Sequence, residues 1–188
     1  MASRSRVAKE EQSFVVRRSR IAGRGAFATR DIAKGDRIIE YVGERISHGV
    51  SDERYGDVDT DAHHTFLFNV NRSVVIDASF GGNDSRFINH SCNPNCESEI
   101  EKGRVYIDAI RNIRKGDELT YDYAYGRDGT ETLEDETDIY VCRCGAKKCR
   151  GTILEPITKA ERKKLEAKAK VRHHDKHAPS REPQRRTK

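Results

Sequence analysis

Short apolar runs, broken every few residues by glycine or polar turns, set the pattern of this chain. Phe14-Val15-Val16-Arg17, Gly25-Ala26-Phe27-Ala28 and Arg37-Ile38-Ile39-Glu40-Tyr41-Val42 each read as a strand, the last entered through the turn Lys34-Gly35-Asp36. Residues 65–70 and 73–77 read as two more, and 105–110 and 118–123 as the last strong pair, separated by Arg114-Lys115-Gly116-Asp117. Between them, residues 45–64 form a polar stretch that predicts a surface insertion with a turn of helix, and 85–89 a single helical turn. Residues 158–171 alternate Lys, Ala and Glu around Leu165, the pattern of a solvated helix with little to bury. The expectation is a mostly β domain of many short strands, with very little helix and no internal repeat.

The 188 residues are enough for one compact domain. No run approaches the roughly 18 apolar residues of a bilayer span, so no membrane partner is expected. The charged start of the chain lacks an apolar signal-like stretch, and a reducing intracellular compartment is the default expectation. The net charge of +5 is uneven: residues 155–188 hold twelve Lys/Arg against five Asp/Glu, leaving the body nearly neutral. The predicted organisation is a disordered lead-in (1–12), a β body (13–125), an acidic loop (126–138), a cysteine-rich module (139–155) and a basic tail (156–188) that is partly helical, then disordered.

Five cysteines, an odd number in a chain expected to stay reduced, argue for metal or thiolate chemistry over disulfides. Cys142-Arg143-Cys144-Gly145-Ala146-Lys147-Lys148-Cys149 offers three soft ligands in eight residues. Structural zinc takes four in a tetrahedron. Cys96 is the first choice for the fourth, Cys92 the alternative, and His90 the least favoured.

The run Arg86-Phe87-Ile88-Asn89-His90-Ser91-Cys92-Asn93-Pro94-Asn95-Cys96 resembles the central signature of SET-domain lysine methyltransferases. Three further segments match in that family's order: Gly23-Arg24-Gly25 with Ala26-Phe27-Ala28, Glu118-Leu119-Thr120-Tyr121-Asp122-Tyr123, and Cys142 to Cys149. The likeness runs from about Phe14 to Leu154, and four motifs in register are far more specific than any one alone. It implies a SET domain over 13–125, a post-SET zinc module over 139–155, and a knot-like C-terminal threading. It implies S-adenosylmethionine held by Gly23, Arg24, Gly25, Asn89, His90 and Tyr123, with Phe66 beside the site and Arg86 and Asn83 bracing it. Cys96, Cys142, Cys144 and Cys149 would bind zinc. Tyr123 would be the catalytic tyrosine, and Tyr121 the residue tuning how many methyl groups are added, with one or two preferred over three.

Phe66 stands where many members carry a tyrosine; His64 and Tyr55 are the candidates to supply the missing hydroxyl. The resemblance further implies a channel lined by Phe66, Tyr121, Tyr123 and Phe87, and a protein substrate bearing a target lysine, histone-like by family analogy. The setting would be the nucleus in a eukaryote, and the cytoplasm or a host target in a bacterium. Nucleic acid is a second candidate partner, through the basic tail. A SET-fold binding module without activity is the rival reading. Oligomeric state is not legible.

Overall fold

The computed structural model describes residues 12–56, 65–127 and 139–176. In chain order the elements are β1 (Phe14–Arg18), β2 (Arg24–Ala28), β3 (Arg37–Tyr41), β4 (Glu44–Ile46), α1 (His48–Tyr55), β5 (Leu67–Asn69) and β6 (Val75–Asp77). A 3-10 turn (Asp84–Phe87) leads into β7 (Asn89–His90), β8 (Cys96–Glu101), β9 (Arg104–Ala109), β10 (Thr120–Tyr121) and α2 (Lys159–Lys176). The strands form small sheets: β1–β2, β3–β9–β8, β4–β6–β5, and the parallel pair β7–β10. The mostly β architecture is as the sequence predicts, and no helix among the described residues is long and apolar enough to cross a membrane.

Alternation along β9 shows why these sequences make strands. Val105, Ile107 and Ala109 are buried while Arg104, Tyr106 and Asp108 point the other way, the period of two that a half-buried strand requires. Ile107 packs with Phe14, Ala26, Ile88, Ile113 and Leu119 in the larger core; Tyr41, Val70, Ile76, Ala78 and Val105 form the smaller one. Phe68 lies against both.

Three strands have no apolar signature in the sequence. β8 reads Cys-Glu-Ser-Glu-Ile-Glu and is held by its ladder to β9, not by propensity. β4 and β7 are too short to carry a period. The strand expected over 118–123 shrinks to Thr120–Tyr121, because the Tyr123 N–H leaves the ladder for the His90 ring. The helical turn in the polar insertion is α1, capped by Ser47, whose hydroxyl accepts from Val50 N–H. Residues 57–64, the lead-in, most of the acidic loop and the end of the tail lie outside the described residues.

Asp77, fully buried at the end of β6, pins α1. Its carboxylate accepts from Tyr55 Oη (2.8 Å), Arg54 Nη1 (3.1 Å) and Ser79 N–H (3.0 Å). Burial pushes this carboxyl up, but those donors outweigh it and hold it below its ordinary value. The resulting stability is complete above about pH 4, the ordinary aspartate value, and is lost as pH falls through the lower folded value. Asp77→Asn is expected to cost about 2 kcal/mol at pH 7. Urea melts should show the two proteins converging towards pH 3.

Candidate functional site

Four sulfurs converge where the Asn89–Cys96 segment meets the C-terminal module. The Sγ atoms of Cys92, Cys142, Cys144 and Cys149 all lie within 4.8 Å of one another, with Cys92–Cys142 at 3.7 Å and Cys92–Cys149 at 3.9 Å. A tetrahedral zinc with bonds near 2.3 Å needs sulfur–sulfur edges of about 3.8 Å, so the donor set fits that ion. Backbone N–H groups point at the sulfurs: Cys92 at Cys144 (3.4 Å), Arg150 at Cys92 (3.3 Å) and Gly151 at Cys149 (3.3 Å). Burial alone would raise the Cys144 thiol, yet the N–H groups of Cys92 and Ala146 and the thiols of Cys142 and Cys149 draw it down to about 6.

The fourth sulfur is Cys92, not Cys96. Cys96 opens β8 opposite Ala109, fully buried in the larger core, with its Sγ turned to Asn95 Oδ1 (3.4 Å) and its thiol pushed up by burial to about 12. The bend through Asn93–Asn95 sends the two cysteines to opposite sides, which spacing alone could not reveal.

The cysteine cluster is tied to the tyrosine motif through His90. Its Nδ1 accepts the Tyr123 N–H (3.1 Å), which leaves the proton on Nε2, facing Cys92 Sγ at 3.3 Å. Burial is the main cause that lowers His90 to about 4, with Asp122 opposing and Arg150 assisting, so the ring is neutral at pH 7. Arg150 grips Asp122 with two bonds of 2.7 Å and also donates to Leu154 O (3.2 Å). Both ring nitrogens of His90 are therefore engaged within the protein, and its backbone is what remains for a ligand.

Asn89, in register with Thr120 across the parallel pair, donates from Nδ2 to Arg24 O and to Glu118 Oε1, each at 2.9 Å. Glu118 also accepts from Ser19 Oγ (2.7 Å). Both Nδ2 hydrogens are committed, so Asn89 Oδ1 is left as an acceptor with no hydrogen bond among the described residues. Glu118 was not singled out by the sequence, although it opens the tyrosine motif. Gly23 takes φ +40°, and Gly25 allows the close approach of β2: a Cβ there would lie 2.2 Å from Glu118 Oε1 and 3.0 Å from Asn89 Nδ2. Gly25→Ala is expected to cost about 1–3 kcal/mol. It should also weaken cofactor binding, read by thermal melting and calorimetric titration.

Arg86 donates to Ala78 O (2.8 Å), its guanidinium lying over Phe87 (4.9 Å) and Phe66 (5.4 Å), while its Nε is buried without a hydrogen bond. Asn83 donates to Glu40 O (2.8 Å) and accepts from Ser85 N–H. Arg24 stacks on Phe87 at 4.1 Å.

Aromatic rings continue away from this corner in a row: Tyr125, Tyr123, Tyr121, Phe68 and Tyr41, with successive centroids 5.8, 4.9, 6.5 and 5.4 Å apart. Tyr123 donates its hydroxyl to Ile88 O (3.0 Å). Burial raises both Tyr121 and Tyr123, so they are hydrogen-bond donors and not bases. Tyr41, Phe68 and Tyr125 were missed as site residues because alternating strand aromatics look like ordinary core. Phe66 packs edge-on against Phe87 (5.6 Å), and its carbonyl accepts the Tyr41 hydroxyl (3.1 Å). Tyr55 is engaged at Asp77 and does not replace a hydroxyl at Phe66; His64 lies outside the described residues.

A family model described as SET domain matches residues 23–124. Histone-lysine N-methyltransferase trithorax of Drosophila virilis is 40% identical over 156 residues, covering 80% of this chain and 4% of that protein. Histone-lysine N-methyltransferase 2B of Homo sapiens is 39% identical over 156 residues (80% of this chain, 6% of that protein). Histone-lysine N-methyltransferase, H3 lysine-4 specific, of Schizosaccharomyces pombe is 42% identical over 138 residues (71% and 14%). The crystal structure of the Chaetomium thermophilum polycomb repressive complex 2 contains a similar chain: TM-score 0.56, 33% identity, 60% of this chain and 15% of that one. The chain thus spans a small fraction of the relatives it matches.

Proposed function

The chain belongs to the SET-domain family, and from that premise we propose that it transfers methyl groups from S-adenosylmethionine to the ε-amine of lysine in a protein substrate. A histone is the proposed substrate, since the relatives named above are histone-lysine methyltransferases. That substrate implies a nuclear setting in a eukaryote; a bacterial source would leave the cytoplasm or a host target.

The observation that carries this reading is the position of Tyr123, held between the β7 strand and the aromatic row. Its N–H is fixed by His90, its hydroxyl by Ile88 O, and its ring lies 4.9 Å from Tyr121. S-adenosylmethionine supplies an electrophilic methyl on a sulfonium. The Arg24 and Asn89–His90 backbone, the free Asn89 Oδ1 and Tyr123 are the groups that would hold it. Zinc, held by Cys92, Cys142, Cys144 and Cys149, would be structural, because four protein ligands leave no open position.

The work left to the protein is positioning and desolvation. A lysine amine with a pKa near 10.4 in water must arrive neutral to have a lone pair. The buried wall of Tyr121, Tyr123 and Phe68 disfavours the ammonium form, and released protons pass to water. The Tyr123 hydroxyl orients the reacting groups and steadies charge as it shifts. Tyr121 crowds the amine, which favours one or two methyl groups over three.

The test is transfer of labelled methyl from S-adenosylmethionine to core histones and to lysate proteins. Label in lysine is the expected result. Cofactor binding without label in any protein would overturn the enzyme reading in favour of a SET-fold binding module, the alternative that Phe66 favours.

A further inference from the structure

Arg17, Arg18 and Arg20 sit exposed on the β1–β2 hairpin, and β-pairing sets Arg18 directly opposite Arg24. Like charges facing across a ladder cost stability. Elsewhere the molecule neutralises its arginines: Arg37, Arg54, Arg104 and Arg150 each hold a carboxylate. Among the described residues, Arg17, Arg18 and Arg20 join no ion pair, nor do Arg30, Arg114 and Lys115 beside them.

These six lie on one continuous surface. Arg17 Nη2 donates to Gly116 O (3.3 Å), in the turn that carries Arg114 and Lys115, and Gly116 N–H donates back to Ala28 O (2.8 Å). The two carboxylates there, Asp31 and Asp117, accept the backbone N–H groups of Lys115 and Arg114 and leave the cationic heads unpaired. No ring is offered for base stacking, because the Arg17 guanidinium covers Phe27 at 3.9 Å.

We infer that this hairpin-and-turn face binds the phosphate backbone of duplex nucleic acid, without sequence preference and separately from the basic tail. Forked guanidiniums suit phosphate oxygens, and six unpaired cations on one face would release counterions from a duplex. The face flanks Gly23–Gly25 without using the groups assigned to the cofactor, so a nucleic-acid-bound substrate could be held there while methyl transfer proceeds.

The full chain should bind a 20-base-pair duplex with a steep salt dependence. Replacing Arg18, Arg20 and Lys115 together by Gln should flatten the log–log slope by about 2–3 and weaken binding at least about tenfold near 0.1 M salt. Arg18 and Arg20 make no side-chain contact that folding needs, and unchanged melting and methyl transfer to a free peptide would verify an intact domain. Unchanged affinity in the triple variant would overturn the inference and assign binding to the tail. No duplex binding by the parent at low salt would overturn it too, as would tighter binding to an acidic polypeptide of equal charge.

Discussion

Cys92→Ser should abolish zinc retention, while Cys96→Ala should leave one ion per chain. Purification followed by elemental analysis measures both. The reasoning is geometric: Cys92 Sγ closes the set of four, whereas Cys96 Sγ is enclosed by the larger core. Structural zinc binding in small modules is on the order of 10–16 kcal/mol, and most of it is folding free energy of the segment that the metal holds. Losing one ligand should therefore release residues 139–155 from the body, seen as rapid proteolysis after Tyr125. Cys96→Ala opens only a small cavity, costing about 1–2 kcal/mol and lowering the melting temperature by a few degrees. Equal zinc loss in both variants would contradict the assignment.

Tyr123→Phe should lower kcat by about 10²–10³ while leaving the KM for S-adenosylmethionine within a few-fold. The ring keeps its packing against Tyr121, Tyr125 and His90, and the backbone N–H still reaches His90 Nδ1. Only the hydroxyl is lost, together with its bond to Ile88 O, a stability cost of about 1–3 kcal/mol. Circular dichroism and melting separate that cost from the chemical effect. A variant that turns over normally would reduce Tyr123 to a core aromatic.

What was legible in the sequence was what periodicity or a motif encodes locally. β1, β2, β3 and β9 announce themselves by apolar residues on one face, and the helical tail by its Lys-Ala-Glu alternation. β8 was invisible because its Glu-rich sequence follows from pairing with β9, a tertiary fact. The same limit governs the site. Asn89, His90 and Tyr123 sit in matched motifs and meet as expected, through the parallel pair. The choice between Cys92 and Cys96 depended on the direction of a bend, and Glu118 on a neighbour, Ser19, that lies 99 positions away. Tyr41 was hidden in plain sight, since a strand tyrosine is ordinary until its hydroxyl is seen to reach Phe66 O.

The parallel pairing of β7 with β10 also bears on how the molecule is made. Parallel strands must wait for a long connection to close, and the loop-closure entropy is lost before any contact compensates it. Here β7 cannot complete its ladder until Tyr121 has been synthesised, and Tyr125 takes its bridging partner, Leu154, later still. A growing chain can settle the β1–β2 hairpin early, but its tyrosine corner must form late, from segments already folded around a gap. Slow steps and misfolded species in refolding should therefore cluster at this corner, with β3, β8 and β9 protected from hydrogen exchange well before it.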